Sequence, residues 1–500
     1  MLAAACVLTA IGVPAPAAGH AAARTVTVRV MTFNIGGDEW GGDLTPPWSS
    51  STRPNLEDVA KAILAAHTDV VGVQEPYGRM LLLARMLGPG WYAAPRLHTL
   101  SRFPILEPPG ADGVWGWLEL RPGRMMAIFN THLPSGLYGP GRVRHGIPRA
   151  QVVAGEQELR VPWMRPILAA AKPLIAAGVP TVLTGDFNSP SWRDWTPRVA
   201  RARGLPYPVR WPVSLQVEHA GFRDSYRQVH PDPLASPGIT WTTGYPGPPP
   251  GPRQINDRID FIWDAGSIRA VGSQVIGEPG SRYTDVAVTP WVSDHRAVVS
   301  TLAVRPVDPS PLIALPRARL TQGTRLAVRF HTSGGGFQVA VVRHGGPLSA
   351  RLLTAATGPG GDGTLLLRTQ ALAPGPYDAA LVAPGGGDLG RLEFAVVGRG
   401  ARTAVAVPAT VTVGRPIPVS VANAPGNRYD WLAVIRGTRS PLVAPYLRWR
   451  YTGALVDGAT TLDPTANGNA PLPPGHYAVW LCLDDGYFCT AHARFVIRGG

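Results

Sequence analysis

Lysine is almost missing from this chain: Lys61 and Lys172 are the only two among 47 basic residues, so the formal charge of +14 is carried by arginine. Cysteine is scarce as well. Three residues exclude a disulfide scaffold, and with Cys6 in the leader region only Cys482 and Cys489 remain to form a bridge. No apolar run reaches the length of a membrane-spanning helix, which excludes a helical membrane protein. Charged residues amount to only 16% and no run of five basic residues occurs. The positive charge therefore reads either as a surface for a polyanion such as nucleic acid or as a general bias toward Arg, Ala, Gly and Pro. What is abundant is glycine (58), proline (53) and apolar residues (45%), the composition of many short strands and turns around more than one core. Five hundred residues suggest two to four domains.

Residues 1–23 are Ala-rich and apolar and end in small residues, so they read as a cleavable signal peptide and the protein as secreted to the extracellular space. Residues 25–34 alternate and are β-branched, a strand. Residues 54–66 read as a helix with Glu57 and Asp58 in its first turn. Residues 69–75, 97–105, 115–120 and 125–133 continue the strand series. Residues 150–177 are helical, interrupted near Pro162 and Pro166, and 181–183 are a strand. Residues 190–256 are loop-heavy, and 258–263 and 297–304 are strands again. Interleaved strands and helices give an α/β catalytic domain over 24–305, followed by a Pro-rich linker at 306–311.

The remainder contains no convincing helix. Two segments share a Pro-Gly turn, a strand with an early tyrosine (Tyr377, Tyr477) and a returning strand with a phenylalanine (Phe394, Phe495). This is a repeat of about 100 residues, and strands at such spacing suggest two all-β sandwich domains at 312–398 and 401–498. In the last hairpin, centring the turn on Asp485-Gly486 puts Cys482 directly opposite Cys489 and predicts a disulfide between them.

Polar clusters terminate the strands of the first domain. They are Asn34, Gln74-Glu75, Asn130-Thr131-His132, Asp186-Phe187-Asn188 and Asp294-His295, with Asp260 inside an apolar strand. Each alone is compatible with a turn, a cap or a buried hydrogen bond. Their joint occurrence at strand ends points to a site. In order, Thr32-Phe-Asn34-Ile, Val73-Gln-Glu75, Leu100-Ser-Arg102-Phe-Pro-Ile, Asn130-Thr-His132-Leu, Gly185-Asp186-Phe-Asn188, Asp257-Arg-Ile-Asp260-Phe-Ile and Ser293-Asp294-His295-Arg resemble the endonuclease/exonuclease/phosphatase superfamily, with its deoxyribonuclease I-like fold. Pro190-Ser-Trp-Arg-Asp-Trp195, Trp211-Pro-Val-Ser and Gly221-Phe-Arg-Asp-Ser-Tyr-Arg are similar to a secreted bacterial subgroup with appended β-sandwich modules.

The resemblance implies a four-layer sandwich, α/β (α+β), of two mixed β-sheets between helices, followed by two Ig-like sandwich domains. It implies a metal-dependent phosphoesterase in which Asn34, Glu75 and Asp294, with Asp38 as a further candidate, hold Mg2+ or Mn2+. Asp186 would orient and deprotonate the attacking water, Asn188 and His295 would stabilise phosphoryl charge, and Asp260 would pair with His295. His132 would assist the leaving group or bind phosphate, and Arg102 and Asn130 would contact substrate. The expected function is a secreted phosphodiesterase, first a nuclease, whose Trp192, Arg193, Trp195 and Arg198 would stack on bases. A phospholipid or sphingomyelin phosphodiesterase, using Trp40 with Trp48 or Tyr138 as a wedge into membrane lipid, is the alternative. A non-catalytic protein binding cell-wall glycan is the alternative of another class. A monomer is expected.

Overall fold

The computed structural model describes residues 24–36, 55–76, 79–243, 256–359, 361–426, 430–441, 444, 446–453, 455–465, 470–483 and 489–499. The leader at 1–23, Asp38, Trp40, Trp48 and the turn at Asp485-Gly486 lie outside these residues.

Two mixed sheets face each other in the first 305 residues. One is seven-stranded, with Val26–Asn34 at its centre between the parallel strand Val70–Gln74 and the antiparallel strand Ala297–Val304. The other is six-stranded, with Arg124–His132 parallel to Thr181–Asp186, and Asp260–Ala265 antiparallel to the latter. Side chains alternate along a strand, so residues of one parity line the space between the sheets. Val28, Val30, Val70, Ile128, Val182, Ile262 and Val298 do so and form the inner core. The other parity packs outward. Phe129, Leu183 and Phe261 meet the helix Val161–Ala176, while Met31, Phe33 and Val73 meet the helices Asn55–Ala65 and Met80–Leu87.

The inner face changes character toward one end. Beyond Val30 the same parity carries Thr32 and Asn34; beyond Val70, Gly72 and Gln74; beyond Ile128, Asn130 and His132; beyond Val182, Thr184 and Asp186. Hydrogen bonds then replace apolar contact between the sheets. Gln74 Nε2 donates to Asn130 Oδ1 (2.8 Å), Thr184 Oγ1 donates to the same oxygen (2.9 Å), and Asn130 Nδ2 donates to Val73 O (3.0 Å) and His98 O (3.2 Å). Gly72 makes this approach possible. A β-carbon there would sit 2.0 Å from Thr184 Oγ1 and 2.6 Å from Asn130 Oδ1.

Several boundaries differ from the sequence reading. Residues 97–105 are not one strand. Thr99–Ser101 pairs in the seven-stranded sheet and Ile105–Leu106 in the six-stranded one, because Pro104 cannot continue a ladder. The 150–177 helix breaks at Arg160 into Arg149–Leu159 and Val161–Ala176. Pro162 sits in the first turn of the second piece, where no donor is needed, and Pro166 and Pro173 lie inside it. The loop-heavy region holds three short helices, Pro197–Ala202, Pro212–His219 and Ser225–Val229, two of them started by proline.

The β-rich region repeats one arrangement twice. Residues 312–397 form a three-stranded and a five-stranded sheet on one core, and residues 404–498 repeat the strand order. Tyr377 and Tyr477 each donate to the carbonyl four residues back, Ala373 (2.6 Å) and Pro473 (2.7 Å). Cys482 and Cys489 face each other in the register and are disulfide-bonded. The expected linker is stitched to the first domain, since Val307 exchanges two backbone hydrogen bonds with Met125. Met125 lies at the start of the strand whose other end is His132, so the first β-rich unit attaches at the end of the sheets away from the polar cluster. Among the described residues no helix is long and apolar enough to cross a membrane.

Gly72→Ala is expected to force the sheets apart and destabilise the fold by about 1–3 kcal/mol, read as a lowered Tm in a thermal melt.

Candidate active site

The polar end of the inter-sheet layer collects its ionisable groups at separations of 2.9 to 3.9 Å between neighbours. Asp260 pairs directly opposite Asp186 in the antiparallel ladder. Two carboxylates facing one another across a ladder repel, and both are buried. His295, arriving from the seven-stranded sheet just before Ala297–Val304, offsets this. Its Nδ1 lies 2.9 Å from Asp260 Oδ2, and its Nε2 lies 3.8 Å from Asp186 Oδ2 and 3.9 Å from Asp294 Oδ2. Burial alone would lower the His295 pKa, but Asp260, Asp294 and Asp186 outweigh it and hold the ring well above its ordinary value, as imidazolium. Burial, then Asp260, push the Asp186 carboxyl up to about 6, with His295 opposing.

Asp186 is fixed from several sides. Asn34 Nδ2 donates to its Oδ2 (3.0 Å) and to Glu75 Oε1 (3.0 Å), and Asn188 N donates to its Oδ1 (2.8 Å). Asn34 Oδ1 accepts from Gly36 N (2.9 Å), which settles the orientation of the amide. Asn188 Nδ2 donates to Leu133 O (2.9 Å) and lies 3.2 Å from His132 Nε2. That His132 nitrogen is 3.6 Å from Asp186 Oδ2 and 3.8 Å from Glu75 Oε1. The His132 side chain is 21% exposed against 1% for Asp186, so it stands at the opening. Glu75 and Asn188 both adopt left-handed backbone conformations (φ 60° and 46°), unusual for residues with a β-carbon. Such strain is held where surrounding structure imposes it, and here it aims two polar side chains at one point.

Asn34, Glu75, His132, Asp186, Asn188, Asp260, Asp294 and His295 are thus brought together. Two expected substrate contacts are not. Arg102 lies at the opposite end of the sheet, its N–H donating to Asp69 O (2.8 Å) and its guanidinium over the Trp91 ring, because its strand runs antiparallel to Val70–Gln74. Asn130 is buried one layer below the site, with its oxygen and its amino group engaged in joining the sheets. Nor is Trp195 free to stack on a base. It is buried against Trp211 and donates to Asp257 Oδ1 (2.9 Å). Arg193 pairs with Glu218 and Arg198 with Asp232.

Several residues to which the sequence reading gave no catalytic role frame the site. Ser293 Oγ donates to Asn34 O (2.7 Å) and accepts from His295 N (3.0 Å), tying two strand ends of the seven-stranded sheet together. Trp241 Nε1 donates to Asp294 Oδ2 (2.9 Å), and the Tyr138 ring meets Trp241 edge-on at 5.1 Å. Arg258 is fully buried between Asp224 and Asp194 (2.6 and 2.8 Å) and braces the strand that carries Asp260. Ser293 and Arg258 stand inside recognised motifs; Trp241 carries no local signal, and Tyr138, expected as a wedge into lipid, is brought to the opening only by the fold.

The donor chemistry fits a hard divalent cation. Asp186, Asp260 and His295 form a buried cluster with candidate ligand atoms within 4.8 Å of one another. His295 is engaged as a cation, which leaves oxygens as the donors, and Glu75 and Asp294 bring two further carboxylates to the same end of the layer. As oriented, Asn34 presents its amino group to the carboxylates, while its oxygen accepts from Gly36 N.

A site of this make-up, at one end of two facing sheets, is that of a hydrolase built on carboxylates and histidines. The chain belongs to the Endonuclease/Exonuclease/phosphatase family, which it matches over residues 31–295 and whose members are typically hydrolases, commonly with divalent metals. It is 32% identical over 305 residues to the uncharacterized protein F14F9.5 of Caenorhabditis elegans, covering 54% of this chain and 90% of that one. The crystal structure of an endonuclease/exonuclease/phosphatase from Beutenbergia cavernae aligns with 74% of this chain and 100% of its own, at 18% identity and a TM-score of 0.35. A biofilm-associated protein's BSP domain aligns with 38% of this chain and 30% of its own, at 13% identity and a TM-score of 0.15.

A carboxyl whose pKa is raised on folding stabilises the fold while protonated. For Asp186 that contribution is complete below about pH 4 and is lost as pH rises through about 6. With chelator present, Asp186→Asn is expected to be more stable relative to the parent near neutral pH than near pH 4, by on the order of 1–3 kcal/mol. Urea denaturation at both pH values reads the difference.

Proposed function

We propose that this protein is a secreted, divalent-metal-dependent phosphodiesterase that uses a water held by Asp186 for in-line attack on phosphorus, and that its substrate is a nucleic acid. One observation carries the reading: Asp186 is held by Asn34, Asn188 and His295 opposite Asp260, with a pKa near 6 suited to proton acceptance at neutral pH. Asp186 takes the proton as the water attacks. His295, cationic and oriented by Asp260, balances charge on the phosphoryl oxygens, and the Asn188 amide donates beside it. His132, at the opening, meets the leaving oxygen.

Glu75, its carboxylate positioned by Asn34, and Asp294 would hold Mg2+ or Mn2+. When bound, the cation neutralises phosphate charge and stabilises the leaving oxygen. We read the first 305 residues as a four-layer sandwich and the two β-rich units as Ig-like domains, monomeric in solution, with cell-wall glycan as a candidate ligand of the tail. A second reading, a phospholipid phosphodiesterase, is favoured by Leu137, which is 54% exposed on the loop beside Tyr138.

Plasmid DNA, RNA, sphingomyelin and a small aryl phosphodiester, each with Mg2+, test these readings. Asp186→Ala and His295→Ala should each lower turnover by about 100-fold or more, and chelator should abolish it until Mg2+ returns. Undiminished turnover in Asp186→Ala would refute the mechanism. Hydrolysis of lipid alone would replace nucleic acid as the substrate.

A further inference from the structure

Two stretches near the site contain arginines and no acidic residue: 139–155, with Arg142, Arg144 and Arg149, and 195–217, with Arg198, Arg201, Arg203 and Arg210. A general preference for arginine over lysine explains the choice of cation but not the absence of carboxylates. The fold brings the two stretches together. Val143, Val152, Trp195, Ala200, Leu205, Val209 and Trp211 form a small apolar cluster of their own. The Tyr207 hydroxyl donates to Ile147 O, which ties the two pieces to one another, and Arg142 Nη1 donates to Gln151 O (3.4 Å) within the first.

Because the apolar residues of each piece turn into this cluster, the neighbouring arginines turn outward. Arg203 is engaged by Asp257 (2.9 Å) and Arg198 by Asp232. The other five, Arg142, Arg144, Arg149, Arg201 and Arg210, form no ion pair with any described residue. Four of them are exposed and Arg142 is half-buried. Arg210 and Arg193 both lie over the Trp192 ring, at 5.7 and 4.8 Å, which adds a third element to the same surface. The surface adjoins the site directly. Trp195 of the cluster and Tyr138 of the opening both approach the Asp257 carboxylate.

We propose that this arginine face binds the backbone of a nucleic-acid strand to one side of the scissile bond. The inference rests on the phosphodiester reading of the site. Five guanidiniums without an ion pair on one small unit repel each other, and a chain of regularly spaced phosphates relieves that repulsion. A lipid surface fits less well. Among the described large apolar residues that are exposed, Leu137 alone belongs to this region, whereas an interfacial anchor presents several.

The test measures binding without turnover, using the Asp186→Asn protein and fluorescently labelled single-stranded and duplex oligonucleotides over a range of salt concentrations. Replacing Arg142, Arg144, Arg149 and Arg210 together by Gln should make the slope of log K against log salt shallower by about 3 and weaken binding at moderate salt by about tenfold or more. The matching replacement by Lys should keep the slope, and melting curves of the variants establish that they fold. In the active background, the ratio of oligonucleotide to small-diester turnover should fall with the Gln variant. An unchanged salt slope in that variant overturns the proposal, as does tighter binding to phosphatidylglycerol vesicles than to oligonucleotide. Should the parent hydrolyse no phosphodiester at all, the phosphodiesterase reading fails while the binding measurement still decides this one.

Discussion

Two buried carboxylates, Asp186 and Asp260, are placed opposite each other by the ladder that joins their strands, and the rest of the site exists to make that tolerable. The ladder cannot move one without the other, so the repulsion is built into the register. His295 supplies the compensating charge from the other sheet, and Asn34 and the Asn188 N–H supply the hydrogen bonds. Each compensating group comes from a different strand end. The two sheets therefore have to stay in register with one another, which is the task of the Gln74, Asn130 and Thr184 bonds one layer below. Gly72 sits where those bonds need the sheets closest.

The same logic extends to the surrounding loops. Arg258 is buried between Asp194 and Asp224, and removing it would leave Asp194 to Arg227 alone and Asp224 without its guanidinium partner in the interior, a loss of about 3–5 kcal/mol for such groups. Those aspartates come from the segments that also supply Trp195 and Tyr226, so the described residues from 190 to 243 form a structured wall anchored by ion pairs. The first β-rich unit attaches at the far end through Val307, while the second packs Trp449 and Tyr451 on Trp163 of the helix Val161–Ala176.

Much of this was legible in the sequence because strand alternation is local. The passage from Val28 and Val30 to Thr32 and Asn34 tells where a strand becomes a site, and the equivalent change at Ile128–Asn130–His132 and Val182–Thr184–Asp186 says that several strands do so together. The Cys482–Cys489 pairing was readable from hairpin register alone. Asn130 and Arg102 were misassigned for one reason. Their motifs mark them, but only the third dimension shows that Asn130 is used up between the sheets and that Arg102 lies on a strand running the other way. The arginine face was invisible for the same reason, since its members lie in two separate stretches and meet through an apolar cluster that neither stretch predicts alone.

The central claim, direct attack by a water that Asp186 holds in line with the leaving oxygen, is tested most directly by the stereochemistry of hydrolysis at phosphorus. A phosphorothioate diester of defined configuration, cleaved in water enriched in heavy oxygen, should give product inverted at phosphorus. Retention would require two displacements through a covalent enzyme intermediate, and that result would contradict the account.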